Sequence, residues 1–148
     1  MPDAAWGCVM GTTMDDGLID QRALAQARAE LGANFVRILG YFREDGLKSL
    51  LAIEKAMREQ NAVAMVLPAH TLKGESRQFG AEALADIAEG IEMIARKCVE
   101  TRDEPTEAME HVAQLRPMFN ATLALLDRDS NPLAQRKAAG FGKRPVAL

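Results

Sequence analysis

From Leu84 to Cys98 apolar side chains return every third or fourth position, as Leu84, Ile87, Ala88, Ile91, Ile94, Ala95 and Cys98, with charged residues between them. Only an α-helix places that set on one face, and such a face is stable in water only against other apolar faces. The rest of the chain supplies them. Asp20 suits an N-cap, and Leu24, Ala27 and Leu31 follow at helical spacing before Gly32 punctuates. Phe35, Ile38, Leu39 and Phe42 then form a second stripe. Glu44-Asp45-Gly46 is expected to interrupt it, with Leu47, Leu50, Leu51 and Met57 as the next apolar face. Asn61 is expected to cap a helix that carries His70 and ends near Gly80. Pro105, weakly capped by Glu104, fits the first turn of a last helix with the stripe Ala108, Val112, Leu115, Phe119, Thr122 and Leu126, bent at Pro117. Strand-type alternation of useful length is absent, so the reading is all-α. Short links favour antiparallel neighbours, which predicts an up-and-down antiparallel four-helix bundle with a flanking N-terminal helix.

Composition bounds what such a bundle can do. With 148 residues, 48% apolar and 26% charged, the chain suits one soluble domain. We read residues 1–19 as a flexible N-terminal arm, 20–128 as the bundle and 129–148 as a basic, mobile C-terminal tail. A net charge of −3 and a pI near 5.4 argue against a nucleic-acid partner. No run approaches the roughly 20 apolar residues of a membrane span, and the opening residues lack a secretory pattern. Cys8 and Cys98, far apart, read as a free thiol and a buried apolar residue, which suits a reduced, cytoplasmic setting.

On the His70 helix, Met65, Ala69, Leu72, Ser76 and Phe79 share the core-facing side. His70 falls opposite, with Lys73, Gly74 and Arg77, and with Val63, Val66 and Leu67 one and two turns earlier. A solvated face normally carries Glu, Lys and Gln rather than two valines and a leucine, so this apolar patch reads as a docking surface. Neutral imidazole, with an ordinary pKa near 6.5, is a nucleophile at cell pH without a dedicated base. Lys73 at i+3 can offset part of the roughly −2 charge of an arriving phosphoryl group, and Arg77 can add to it more weakly. Gly74 at i+4 costs its helix about 1 kcal/mol relative to Ala, which makes sense if a partner must approach the imidazole closely.

Ala69-His70-Thr71-Leu72-Lys73-Gly74-Glu75-Ser76, followed by Phe79-Gly80-Ala81, Leu84 and Ile91-Glu92, resembles the signature of histidine phosphotransfer (HPt) domains, with the Phe35 to Phe42 stripe in agreement. The resemblance spans roughly residues 20 to 127. It implies a four-helix bundle with His70 as phosphoacceptor, Lys73 supporting the phosphoryl group and Gly74 giving partner access. It also implies receiver domains of response regulators and hybrid histidine kinases as partners, whose own aspartate and magnesium supply the other half of the reaction. Two residues depart from the pattern. Pro68 either kinks the helix or starts it, and Glu75 stands where a small residue is usual.

Other readings are weaker. His111 lacks such company and reads as an ordinary exposed side chain; Glu107 lies four residues before it, and no second Glu/His pair exists for a metal bundle. No nucleotide-binding loop or kinase motif is present, so neither cofactor nor autonomous ATP-dependent kinase activity is expected. The basic tail, with Arg136, Lys137, Lys143 and Arg144, reads as solvated linker, with docking as its alternative role. A helical adaptor that only binds through the same face is the competing class, and a dimeric kinase-like core would need an appended domain that this chain lacks. A monomer is expected.

Overall fold

A computed structural model describes residues 17–130. The tail and all of the arm except residues 17–19 lie outside them; Ile19 is fully buried. Five α-helices follow in order, with no strand among the described residues. They are α1 (Gln21–Leu31), α2 (Phe35–Arg58), α3 (Ala62–Gln78), α4 (Glu82–Thr101) and α5 (Met109–Ser130). Short 3-10 turns, Gly32–Asn34 and Pro105–Ala108, precede α2 and α5.

Local chemistry sets the ends. The Asp20 carboxylate accepts from the amides of Arg22 (3.0 Å) and Ala23 (3.2 Å), satisfying donors that the first turn of α1 leaves open. Asn61 does the same for Ala64 at 3.1 Å and starts α3. Gly80, at φ +75°, ends the turn after α3 in a conformation that side chains disfavour. Its carbonyl accepts from the Asp20 amide at 2.6 Å, and a Cβ there would lie 2.6 Å from the Asp20 carbonyl oxygen. That contact ties the entrance of α1 to the exit of α3.

Three-residue links join α2 to α3 and α3 to α4, so α2 to α5 run up and down. Helix α3 packs most extensively on α4 and then on α2, α5 closes the ring against α4 and α2, and α1 flanks α2 and α3. Phe79 anchors the core, with ring centroids 5.6 Å from Phe35 and 5.3 Å from Phe42; Phe42 in turn meets Phe119 at 6.0 Å. Leu50, Ile53, Met65, Leu72, Leu84, Ile91, Leu115 and Leu126 fill the remaining space and are fully buried.

Two helix readings change. Glu44-Asp45-Gly46 does not interrupt: α2 runs unbroken for 24 residues. A Cβ on Gly46 would lie 2.6 and 2.9 Å from the Phe119 ring, so this glycine admits an aromatic from α5 rather than breaking a helix. The inward face accordingly continues as Gly46, Ser49, Leu50, Ile53, Ala56 and Met57, while Leu47 and Leu51 face solvent. Pro68 lies inside α3, which starts six residues before it; the chain on both sides stays helical although the Ala64 carbonyl loses its usual amide donor.

Candidate functional site

Helices α3 and α4 pack most extensively on each other, and Ala69 on α3 and Ala85, Ala88 and Ala95 on α4 are all fully buried. Such small side chains let two helices approach closely, so a short carboxylate on α4 can reach an imidazole on α3. Glu92 does so. Its Oε2 lies 2.9 Å from His70 Nδ1, across 22 residues of sequence. The His70 side chain is 54% exposed and that of Glu92 only 6%. The site therefore has a wet end at the imidazole and a dry end at the carboxylate.

Three donors converge on Glu92. Lys73 Nζ lies 2.7 Å from Oε1. Arg96, one turn along α4, donates to Oε2 through Nε at 2.9 Å and approaches it with Nη2 at 2.8 Å. His70 is the third. Burial alone would push the Glu92 carboxyl upward; the hydrogen bonds from Lys73, Arg96 and His70, with the charge of Lys73, outweigh it and hold the group at about 2. At neutral pH Glu92 is thus ionised and can only accept. The proton between it and His70 must therefore sit on Nδ1, which donates, and this tautomer leaves the lone pair on Nε2. An exposed imidazole with a free Nε2 and an ionised carboxylate behind it is equipped for nucleophilic attack, because the carboxylate stabilises the cationic ring that attack produces.

Around the imidazole, Val63 and Leu67 are 70% and 69% exposed and stand two turns and one turn before it, respectively. Nothing lies within 4 Å of where a Cβ on Gly74 would be, so the surface beside His70 is open. Three expectations change here. Val66 is only half-exposed and packs against the core, leaving Val63 and Leu67 as the apolar patch. Arg77 is engaged by α4 acids, with Glu82, Asp86 and Glu89 at 3.5, 3.4 and 3.1 Å, which compete with any anion for its charge. His111 is not freely exposed: its ring covers Gly90, whose added Cβ would meet it at 2.8 Å, and its Nδ1 is buried. Among the described residues no group of three or more His, Cys, Asp or Glu side chains could hold a metal ion, and no helix is long and apolar enough to cross a membrane.

Glu92 and Arg96 are the site residues that helical periodicity does not reveal. An acid beside Ile91 on an otherwise apolar stripe is the available signal, but its partner is on another helix.

A bundle that presents a carboxylate-backed histidine on an open face is the architecture of a phosphotransfer domain. The chain belongs to the Hpt domain family, which matches residues 37–127. Among solved structures it is similar to the histidine-containing phosphotransfer protein B (HptB) from Pseudomonas aeruginosa PAO1, at 25% identity and a TM-score of 0.67, over 76% of this chain and 93% of that one. No curated protein sequence matches it. Histidine phosphotransfer in phosphorelays is the chemistry these similarities support.

Proposed function

We propose that this protein relays a phosphoryl group between the aspartates of receiver domains, carrying it on Nε2 of His70. The hydrogen bond from Nδ1 to the ionised Glu92 supports this reading above all, because it fixes the tautomer that makes Nε2 the nucleophile. In the forward step the Nε2 lone pair forms a bond to phosphorus as the bond from phosphorus to the aspartyl oxygen breaks. The electron pair leaves with the aspartate carboxylate, and the ring becomes cationic with Nδ1–H still donating to Glu92. Transfer onward is the reverse reaction with a second aspartate. Lys73 supplies positive charge for the phosphoryl oxygens. Gly74 leaves room for the acidic site of the partner, and Val63 and Leu67 offer the apolar contact around which a receiver domain docks.

Receiver domains phosphorylated beforehand on aspartate, incubated with wild type and with His70→Gln, test this directly. Acid-labile, base-stable label on the wild type alone is the expected result. Tight receiver binding by both proteins with no label on either would replace the relay by an adaptor, and equal labelling of both would move the phosphoacceptor away from His70.

A further inference from the structure

Glu92 faces a conflict once His70 carries a phosphoryl group. Its Oε1 is held by Lys73 and its Oε2 by both His70 and Arg96. The arriving group brings a charge of about −2, and Lys73, a compact ammonium on a flexible stem, is the cation placed one turn from His70 to meet it. If Lys73 turns outward, the buried carboxylate loses the partner on Oε1. An ionised carboxylate left short of partners in a dry site is costly.

We propose that Arg96 is a positioning residue: it keeps Glu92 charged and oriented when Lys73 transfers its ammonium from Glu92 to the phosphoryl group. This rests on His70 as the phosphoacceptor. Several observations single out Arg96. It grips Glu92 from the same helix at i+4, so its hold does not depend on movement of α3. It takes Oε2, leaving the oxygen that Lys73 occupies to be vacated. Its side chain is 56% exposed, and Glu92 is its one partner among the described residues, so the bundle does not need it for packing. A guanidinium suits the role because it is a rigid, permanently charged fork.

The test uses phosphoramidate as a small phosphoryl donor, so that docking plays no part: the Nε2–P bond forms, the P–N bond of the donor breaks and ammonia leaves. Phosphohistidine formation and decay are followed by 31P NMR in wild type, Arg96→Gln, Arg96→Lys, Lys73→Ala and the Lys73→Ala/Arg96→Gln double variant. Imidazole 15N spectra report the His70 tautomer in each. Arg96→Gln is expected to slow formation about tenfold, the scale of one hydrogen bond to a charged group, while keeping the tautomer; because the buried Glu92 loses a charged partner, the thermal midpoint should fall modestly with the fold retained. Arg96→Lys should recover most of the rate. In the double variant the loss should exceed the product of the two single losses, because Glu92 then keeps neither of its cations. Wild-type kinetics in Arg96→Gln, or a double-variant loss no greater than that product, would overturn the role of Arg96 while leaving His70 in place. No phosphohistidine on the wild type, or equal signal in His70→Gln, would overturn the phosphoacceptor reading itself and this inference with it.

Discussion

Three glycines inside helices should answer differently to the same added methyl group. Glycine costs a helix interior about 0.5–1 kcal/mol relative to alanine. At Gly74 and Gly40 a Cβ would meet nothing within 4 Å, so alanine there should return that amount, raising the thermal midpoint by roughly 2–6 °C for a domain of this size. At Gly46 the same Cβ would press to 2.6 Å from the Phe119 ring, and overpacking of about 1–3 kcal/mol exceeds the helical gain. Gly46→Ala should therefore lower the midpoint. Function should divide the two open sites. Gly74→Leu keeps good helix propensity but fills the surface beside His70, and a loss of about 1–3 kcal/mol at a well-packed contact reduces receiver-dependent transfer roughly 5- to 150-fold. Phosphorylation of the same variant by phosphoramidate should be unaffected, and Gly40→Ala should be stabilised with transfer intact. Differential scanning calorimetry and single-turnover transfer read both quantities. If Gly74→Ala were not stabilised, the open-site reasoning would be wrong. If Gly74→Leu accepted phosphoryl from receivers at the wild-type rate, partner clearance would be refuted.

Glu92→Gln should cut transfer at least about a hundredfold, because its amide can donate to Nδ1 and draw the proton to Nε2; rates within threefold of wild type would remove Glu92 from the mechanism. The low Glu92 value also has a consequence for acid stability: a carboxylate held at about 2, below its usual range, adds stability that is present above about pH 4.5 and fades as pH falls toward 2. Wild type should thus lose its advantage over Glu92→Gln in that window, measured by urea unfolding at several pH values. Glu75 has the opposite sign. Burial, then the neighbouring Asp45, push its carboxyl upward, so ionising it opposes folding. Glu75→Gln should be more stable than wild type at pH 7, with the gap closing below pH 4. Leu67→Asp, on an exposed side chain, should leave the midpoint unchanged while weakening receiver binding measured by calorimetry; unchanged affinity would move the docking surface elsewhere.

Much of this architecture is legible in the one-dimensional pattern. The stripe from Leu84 to Cys98, the caps at Asp20 and Asn61 and the stop at Gly80 are local signals, readable from neighbouring residues, although Gly80 also makes a distant contact with Asp20. The placement of His70 opposite Ala69, Leu72 and Ser76 follows from the same periodicity. What escaped depends on contacts between helices. Gly46 reads as a breaker until Phe119 is seen against it, and Leu47 and Leu51 then exchange places with Ser49 and Ile53. Arg77 looks free along α3 because its acids are on α4. His111 lacks a sequence neighbour that would bury it, yet Gly90 on α4 leaves a notch for its ring. Glu92 matched a family pattern, but its grip on His70, Lys73 and Arg96 exists only once α3 and α4 are packed.

The central claim is that Glu92 directs phosphorylation to one nitrogen of His70. Protein with 15N-labelled histidine, phosphorylated by a receiver domain and observed by 31P and 15N NMR, tests it most directly. Phosphorus coupled to Nε2 of His70, with Nδ1 still carrying its proton, is the predicted result. Coupling to Nδ1, or a phosphoryl group on any residue other than His70, would contradict the account.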